Sequence, residues 1–366
     1  MQIKKDHLNF AVGPVLIDPE IMKIGAEPVP YFRTPDFSEL MLENERILKE
    51  LMDAPEGAKA VFLTGSGTAS MDAVVSNVFT EEDKLLIVNG GSFGHRFCEI
   101  ASVYEIPYEE IIPEQGHSVT KDQLAQFDDK GFTGFLVNMD ETSTGVLYDM
   151  DLIGEFCRRN NLILIVDAIS SFLTDKLSMK NIGADVVFTG SQKALALPPG
   201  VSMMVLSERA VERIWNNKTR CYYLNLKAAL SNQERGQTPF TPAVGILIQL
   251  NKRLCQIKED GLETEQARIK TIAEDFRKRI KNYPFRIVSE SPTNCVTPLS
   301  PINENISAYS IFQILKEEYG IIVCPNAGEM AQKIFRVGHI GHLKIEDNDR
   351  LFAALDDLVK RGILYS

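Results

Sequence analysis

The chain has 366 residues, enough to bury a large core and carry a second, smaller domain. Its 44% hydrophobic and 24% charged residues match a soluble globular protein, and a net charge of −11 argues against nucleic acid or an anionic membrane as the main partner. The opening MQIKKDHLNFAVGP lacks the apolar run of a signal peptide, and no window approaches the roughly 18 apolar residues of a membrane span. A cytoplasmic location is therefore expected.

From there the chain alternates. Short apolar runs at 59–63 (KAVFL), 84–88 (KLLIV), 134–138 (GFLVN), 162–167 (LILIVD), 185–190 (DVVFTG) and 201–206 (VSMMVL) read as buried strands. Helical patterns such as ASMDAVVSNVF and MDLIGEFCRRNN lie between several of them. The alternation predicts an α/β fold with a mostly parallel sheet covered on both faces. After Ala243 come two long helical stretches broken at Gly261, which marks a joint between domains. The remainder (FRIVSE, IIVCP and IFRVG between helical segments) reads as a small C-terminal α+β domain. The expected division is a large domain over 15–255, with 1–14 and 256–366 forming the small one.

Six cysteines (Cys98, Cys157, Cys221, Cys255, Cys295, Cys324) form no CxxC pair and read mostly as buried thiols of a reducing compartment. His339 and His342 fall together in a Gly-rich turn without further ligands, so no metal is expected.

Polar residues collect where the strands end. TGSGTAS (64–70), NGGSFGHR (89–96), NMDETSTG (138–145), Asp167 and GSQK (190–193) each follow an apolar run. Ligands of open α/β sheets sit at the carboxyl ends of the strands, so these segments are expected to meet in one site. The glycines of TGSGTAS let backbone approach an anion, and a helix starting near Thr68 or Ala69 would offer its N–H groups to a phosphate. By itself such a turn is often only a helix cap. Asp167 ends a very apolar strand and needs a cation or hydrogen-bond donors there; a protonated pyridine nitrogen would serve. Lys193 lies 26 residues later, past one more strand, which sets it beside Asp167 on the neighbouring strand.

The set GSGTAS, GGSFGHR, ETSTG, VDAISS, GSQKAL with PPG, and FRVGHIG resembles the class V aminotransferases of fold type I, from Gly13-Pro14 to the FRVG at Phe335. Members of that family include alanine–glyoxylate, serine–pyruvate and 2-aminoethylphosphonate–pyruvate transaminases. More distant members are phosphoserine transaminases and cysteine desulfurases. The resemblance implies pyridoxal 5′-phosphate (PLP) bound to Lys193 as a Schiff base, with Lys193 also shuttling the substrate proton. It implies that Asp167 pairs with the pyridinium, that Phe93 stacks on the ring and that Thr142 bonds the phenolic oxygen. Ser66, Gly67, Thr68 and Gln192 would hold the phosphate. Arg336 would fork onto the substrate carboxylate, with Gly13 also at the substrate and Arg33 available for a second anion. Thr241 would reach the phosphate of a partner subunit, which makes a homodimer with shared sites the expected assembly.

Two departures from the family pattern stand out: Met139 replaces a frequent His, and Phe32 precedes Arg33 where relatives often have His. The reaction implied is transfer of an amino group from 2-aminoethylphosphonate, alanine, serine or aspartate to pyruvate or glyoxylate. A cysteine desulfurase-like or other PLP lyase is the alternative. Those relatives usually have His where Gln192 stands, and Cys324, inside the apolar IIVCP, reads as buried. A non-catalytic PLP-binding module is a third reading; it needs a DNA-binding extension, for which the chain has only about fifteen residues before its first family motif.

Overall fold

The computed structural model describes residues 7–365; residues 1–6, the first part of the expected small domain, and Ser366 lie outside the described residues. The six apolar runs and one further strand form a seven-stranded sheet in the order Lys59–Thr64, Val201–Leu206, Val186–Gly190, Ile163–Asp167, Gly134–Asn138, Leu85–Val88, Tyr108–Ile111. Val201–Leu206 runs antiparallel to both neighbours, and the other pairings are parallel. Every residue of Gly134–Asn138, Ile163–Asp167 and Val186–Gly190 is buried, as expected of strands covered on two faces.

Successive side chains point to opposite faces and so enter different cores. Phe135, Val137, Leu164 and Val166 join one cluster with helices Pro35–Leu51 and Val244–Asp260. Leu136, Ile163, Ile165 and Phe188 join the other with helices Gly67–Val78 and Ser92–Val103. Strand Tyr108–Ile111 carries no apolar run to announce it. It is an edge strand of sequence YEEI, three of its four residues only half-buried, so its sequence is largely polar.

A third cluster is built around a four-stranded antiparallel sheet ordered Phe285–Ile287, Val296–Pro301, Phe335–Gly338, Cys324–Pro325. Leu8 and Phe10 belong to it, because Leu8–Asn9 pairs in parallel with Ile321–Ile322. Gly261, at φ +92°, separates helix Val244–Asp260 from helix Leu262–Ile280; residue 255 lies inside the first of these helices. Among the described residues no helix is long and apolar enough to cross a membrane.

His339 is fully buried where this third cluster meets the large sheet's core. Its Nε2 lies 2.8 Å from Thr297 Oγ1, and its Nδ1 has no partner among the described residues. Burial, aided by the Arg277 charge, holds its pKa well below the ordinary histidine value. Below about pH 6.5 the unfolded chain binds a proton there that the folded chain refuses. His339 therefore gives stability above that pH, and the stability is lost as pH falls. We expect native stability to drop on acidification about 1.4 kcal/mol per pH unit faster than that of His339→Gln. Urea melts of both proteins at pH 7 and pH 5 check this, and equal pH slopes would refute it.

Candidate functional site

Parallel strands Ile163–Asp167 and Val186–Gly190 deliver Asp167 and, three residues past its strand, Lys193 to one crevice at their carboxyl ends. That crevice is a cavity of about 250 Å³. It is lined by Gly13, Ser66, Gly67, Thr68, Phe93 and Thr142 together with Asp167, Gln192 and Lys193. The structure thus brings together nine of the residues singled out in the sequence.

Lys193 is buried, and among the described residues no carboxylate lies within ion-pair distance of its ammonium. Burial lowers its pKa and outweighs the opposing Asp140 charge, while the Arg336 charge adds a lesser push in the same direction as burial. Desolvation favours the neutral amine, the form that acts as a nucleophile and a base. Gly13 makes room for it: at φ +134° a side chain is strained, and a Cβ there would stand 2.8 Å from Lys193 Cδ.

Asp167 is also buried. Its Oδ1 accepts from Ile169 N–H and its Oδ2 from Asn138 Nδ2, both at 2.8 Å. Burial outweighs these bonds and the more distant Lys193 charge and raises its pKa to about 6; among the described residues no cation lies within ion-pair distance of the carboxylate. A protonated ring nitrogen has the charge and the hydrogen that this site lacks.

The phosphate-type cradle is the N-terminus of helix Gly67–Val78. It starts one residue before the expected position, and its N-cap Ser66 makes no side-chain capping bond; Ala69 N–H donates to Ser66 O at 2.8 Å, which leaves the N–H groups of Gly67 and Thr68 for an anion. Gln192 Oε1 has no partner in the same cavity. Arg96 adds a cation that sequence reading missed. It lines the cavity, donates from Nη1 to Thr68 Oγ1 at 3.2 Å, and lies 5.0 Å from the Phe93 ring centroid. Its signal was present in NGGSFGHR: Arg96 follows Phe93 by three residues on helix Ser92–Val103, which puts both on one face.

Phe93 is held from behind by Glu141, another residue the motif reading left without a role. Glu141 Oε2 accepts from Phe93 N at 3.2 Å and Gly94 N at 2.9 Å, which caps the helix with a carboxylate. Lys193 Nζ is 6.0 Å from the Phe93 ring centroid. Met139 packs in the large core, 2% exposed, and lies outside the cavity lining.

Other expected residues lie outside this cavity. Arg336, on strand Phe335–Gly338, is buried behind Thr142; Nη1 faces Thr142 O at 3.5 Å, and Nη2 donates to Pro325 O at 2.8 Å. Its Nε has no partner among the described residues, so donor capacity remains. Cys324 was expected to be buried and is only half-buried. It sits on the edge strand of the small sheet, opposite Arg336 in register, with Sγ 3.1 Å from Arg336 Nη2. Cys221 and Cys255 are half-buried as well, leaving Cys98, Cys157 and Cys295 as buried thiols. Arg33 is exposed, bonded to Gln237 Oε1 at 3.1 Å and Thr238 O at 2.9 Å. Thr241 lines a different, apolar depression with Ile17, Met22 and Val29.

The model of the family described as "Aminotransferase class-V" matches residues 33–338. The chain belongs to the class-V aminotransferase family. An aminotransferase of Methanocaldococcus jannaschii is 33% identical over 90% of this chain and 86% of its own length. The L-aspartate–glyoxylate aminotransferase of Paracoccus denitrificans is 26% identical over 91% of this chain and 86% of its own. Among solved structures, the ureidoglycine–glyoxylate aminotransferase of Bacillus subtilis superposes with a TM-score of 0.92. It is 26% identical, over 98% of this chain and 94% of that one. This class-V chain is therefore an aminotransferase, with a fold shared across the family.

Proposed function

We propose that this class-V enzyme uses PLP to move an amino group from a small donor to glyoxylate or pyruvate. The donor class is 2-aminoethylphosphonate, alanine, serine or aspartate. The observation that carries the reading is the buried Lys193 ammonium in one cavity with the buried Asp167 carboxylate, neither of them in an ion pair among the described residues. When bound, the cofactor supplies an electron-poor ring that takes up the electron pair at the substrate's Cα.

Every other task falls to the chain. Lys193 Nζ would bond the cofactor and, once displaced by the donor amine, take and return the Cα proton. Asp167 would keep the ring nitrogen protonated, Phe93 would cover the ring face, and Thr142 would meet its phenolic oxygen. Ser66, Gly67, Thr68, Gln192 and Arg96 would hold the phosphate. Arg336 would bind the carboxylate common to donor and acceptor, and its unpartnered Nε supports this. The glyoxylate-using relatives support a short oxo acid as acceptor.

Arg33 and Thr241 have a place in this reading if sites are shared between two subunits. They lie on surface tied together by the 237–241 segment, beside exposed Met22, Val29 and Tyr31, where a second copy could cover them. We therefore propose a homodimer, which light scattering would test. A cytoplasmic enzyme is consistent with six free thiols.

Absorbance of the purified protein, scanned during addition of PLP and then of single donors without acceptor, tests the function. We expect a bound-cofactor band that one donor converts to the amine form. A band that no donor converts, together with sulfide release from cysteine, would overturn the transaminase reading in favour of a lyase. Arg96→Gln should weaken PLP affinity about 10-fold, the worth of one partly exposed charge-assisted hydrogen bond. Fluorescence titration with PLP measures it, and unchanged affinity would remove Arg96 from the cradle.

A further inference from the structure

Asp140 has no part in the roles described so far, yet it lines the site cavity and is only 2% exposed. Its Oδ1 accepts from Ser170 Oγ at 2.8 Å, and Ser170 Oγ lies 2.7 Å from Thr142 Oγ1. Its Oδ2 is buried without a partner, and among the described residues no cation lies within ion-pair distance. Ser170 and Thr142 both line the cavity. A buried carboxyl therefore ends a chain of two hydroxyls that leads back to the site.

Each hydroxyl has one proton, so the state of Asp140 sets the direction of the whole chain. With Asp140 ionised, Ser170 gives its proton to Oδ1, Thr142 gives its own to Ser170, and Thr142 offers the cavity only lone pairs. With a proton on Oδ1, Asp140 donates to Ser170, Ser170 donates to Thr142, and the Thr142 O–H is free to point into the cavity. A proton on Oδ2 would find no acceptor.

We propose that Asp140 is a positioning residue whose protonation, relayed through Ser170, decides whether Thr142 donates or accepts toward the cofactor's phenolic oxygen. The proposal rests on the PLP reading above. Several groups face Asp140. Burial dominates and the charges of Asp175 and Asp167 add to it, against the Ser170 hydrogen bond and the Lys193 charge, so its pKa rises to about 7. The Cys295 thiol and the Tyr148 phenol also face it, and both are held protonated by burial. The relay can thus change direction within the pH range in which a transaminase works.

Infrared spectra of the full chain without cofactor should contain a protonated-carboxyl band that titrates near neutral pH and is missing in Asp140→Asn. Ser170→Ala should keep this band but shift its frequency, since the bond to Oδ1 is gone. In the PLP-loaded enzyme, Asp140→Asn should lower the midpoint of the cofactor's absorbance titration by about 1 pH unit. It removes a nearby negative charge and frees the Thr142 O–H. Ser170→Ala keeps the charge but also frees that O–H, so it should shift the midpoint the same way. The double variant should go little further than Asp140→Asn, and Thr142→Ser should keep the native midpoint. Absence of the infrared band, or an unmoved midpoint in Asp140→Asn or Ser170→Ala, overturns the proposal. A native chain that takes up no PLP overturns the proposed function instead, and the infrared pair then decides the relay by itself.

Discussion

Lys193→Ala is expected to lower transaminase turnover by about 10⁴-fold, the upper range for loss of a positioned acid–base group. It should also abolish the covalent cofactor band while leaving the fold intact. The reason lies in the packing: the ammonium is desolvated without an ion pair, so removing it relieves that cost and breaks no ion pair. Thermal melting without PLP should therefore match or exceed that of the native chain, whereas turnover with PLP collapses. Absorbance spectra and single-turnover assays of both proteins measure the effect. A variant that retains the band, or more than a hundredth of the turnover, would remove Lys193 from the centre of the reaction.

A second large effect is expected at Asp167. Asp167→Asn keeps the side chain's size and one oxygen for the Ile169 N–H, but it removes the charge and sets an amide N–H₂ against the Asn138 Nδ2 donor. Turnover should fall by about 10²–10³-fold, the scale on which loss of one preorganised electrostatic partner slows an enzyme. Stability should change much less, since in the cofactor-free chain burial already raises the Asp167 pKa to about 6 and the native chain gains little from the charge. Steady-state kinetics with saturating PLP, read beside a melting curve, separate the two effects. A fall of less than about ten-fold in turnover would show that the ring nitrogen needs no carboxylate here.

Much of this protein is legible before folding is considered. Runs such as LILIVD and DVVFTG mark buried strands because a strand covered on both faces has no polar side to display. The polar clusters that follow them mark the site because a parallel sheet gathers its carboxyl ends. What sequence could not assign are residues whose role depends on a partner far away in the chain. Glu141 caps a helix that begins 49 residues earlier at Ser92, and Arg96 reaches Thr68 across two elements. Cys324 looked buried because its neighbours in IIVCP are apolar, but its strand is at a sheet edge, and position in a sheet is not a local property.

The sequence by itself determined the alternation of strands and helices, the break between two helices at Gly261 and the order in which the site segments occur. These follow from short-range periodicity and the backbone freedom of single residues. Only the tertiary structure decided which side chains lose water. Lys193, Asp167 and Asp140 are charged residues in any listing of the chain, and burial without full pairing is what moves all three toward the neutral form. That desolvation arises from the packing of Gly13, Phe93, Ile169 and Ser170 around one cavity, and these are contacts between segments up to 180 residues apart in the chain, Gly13 to Lys193.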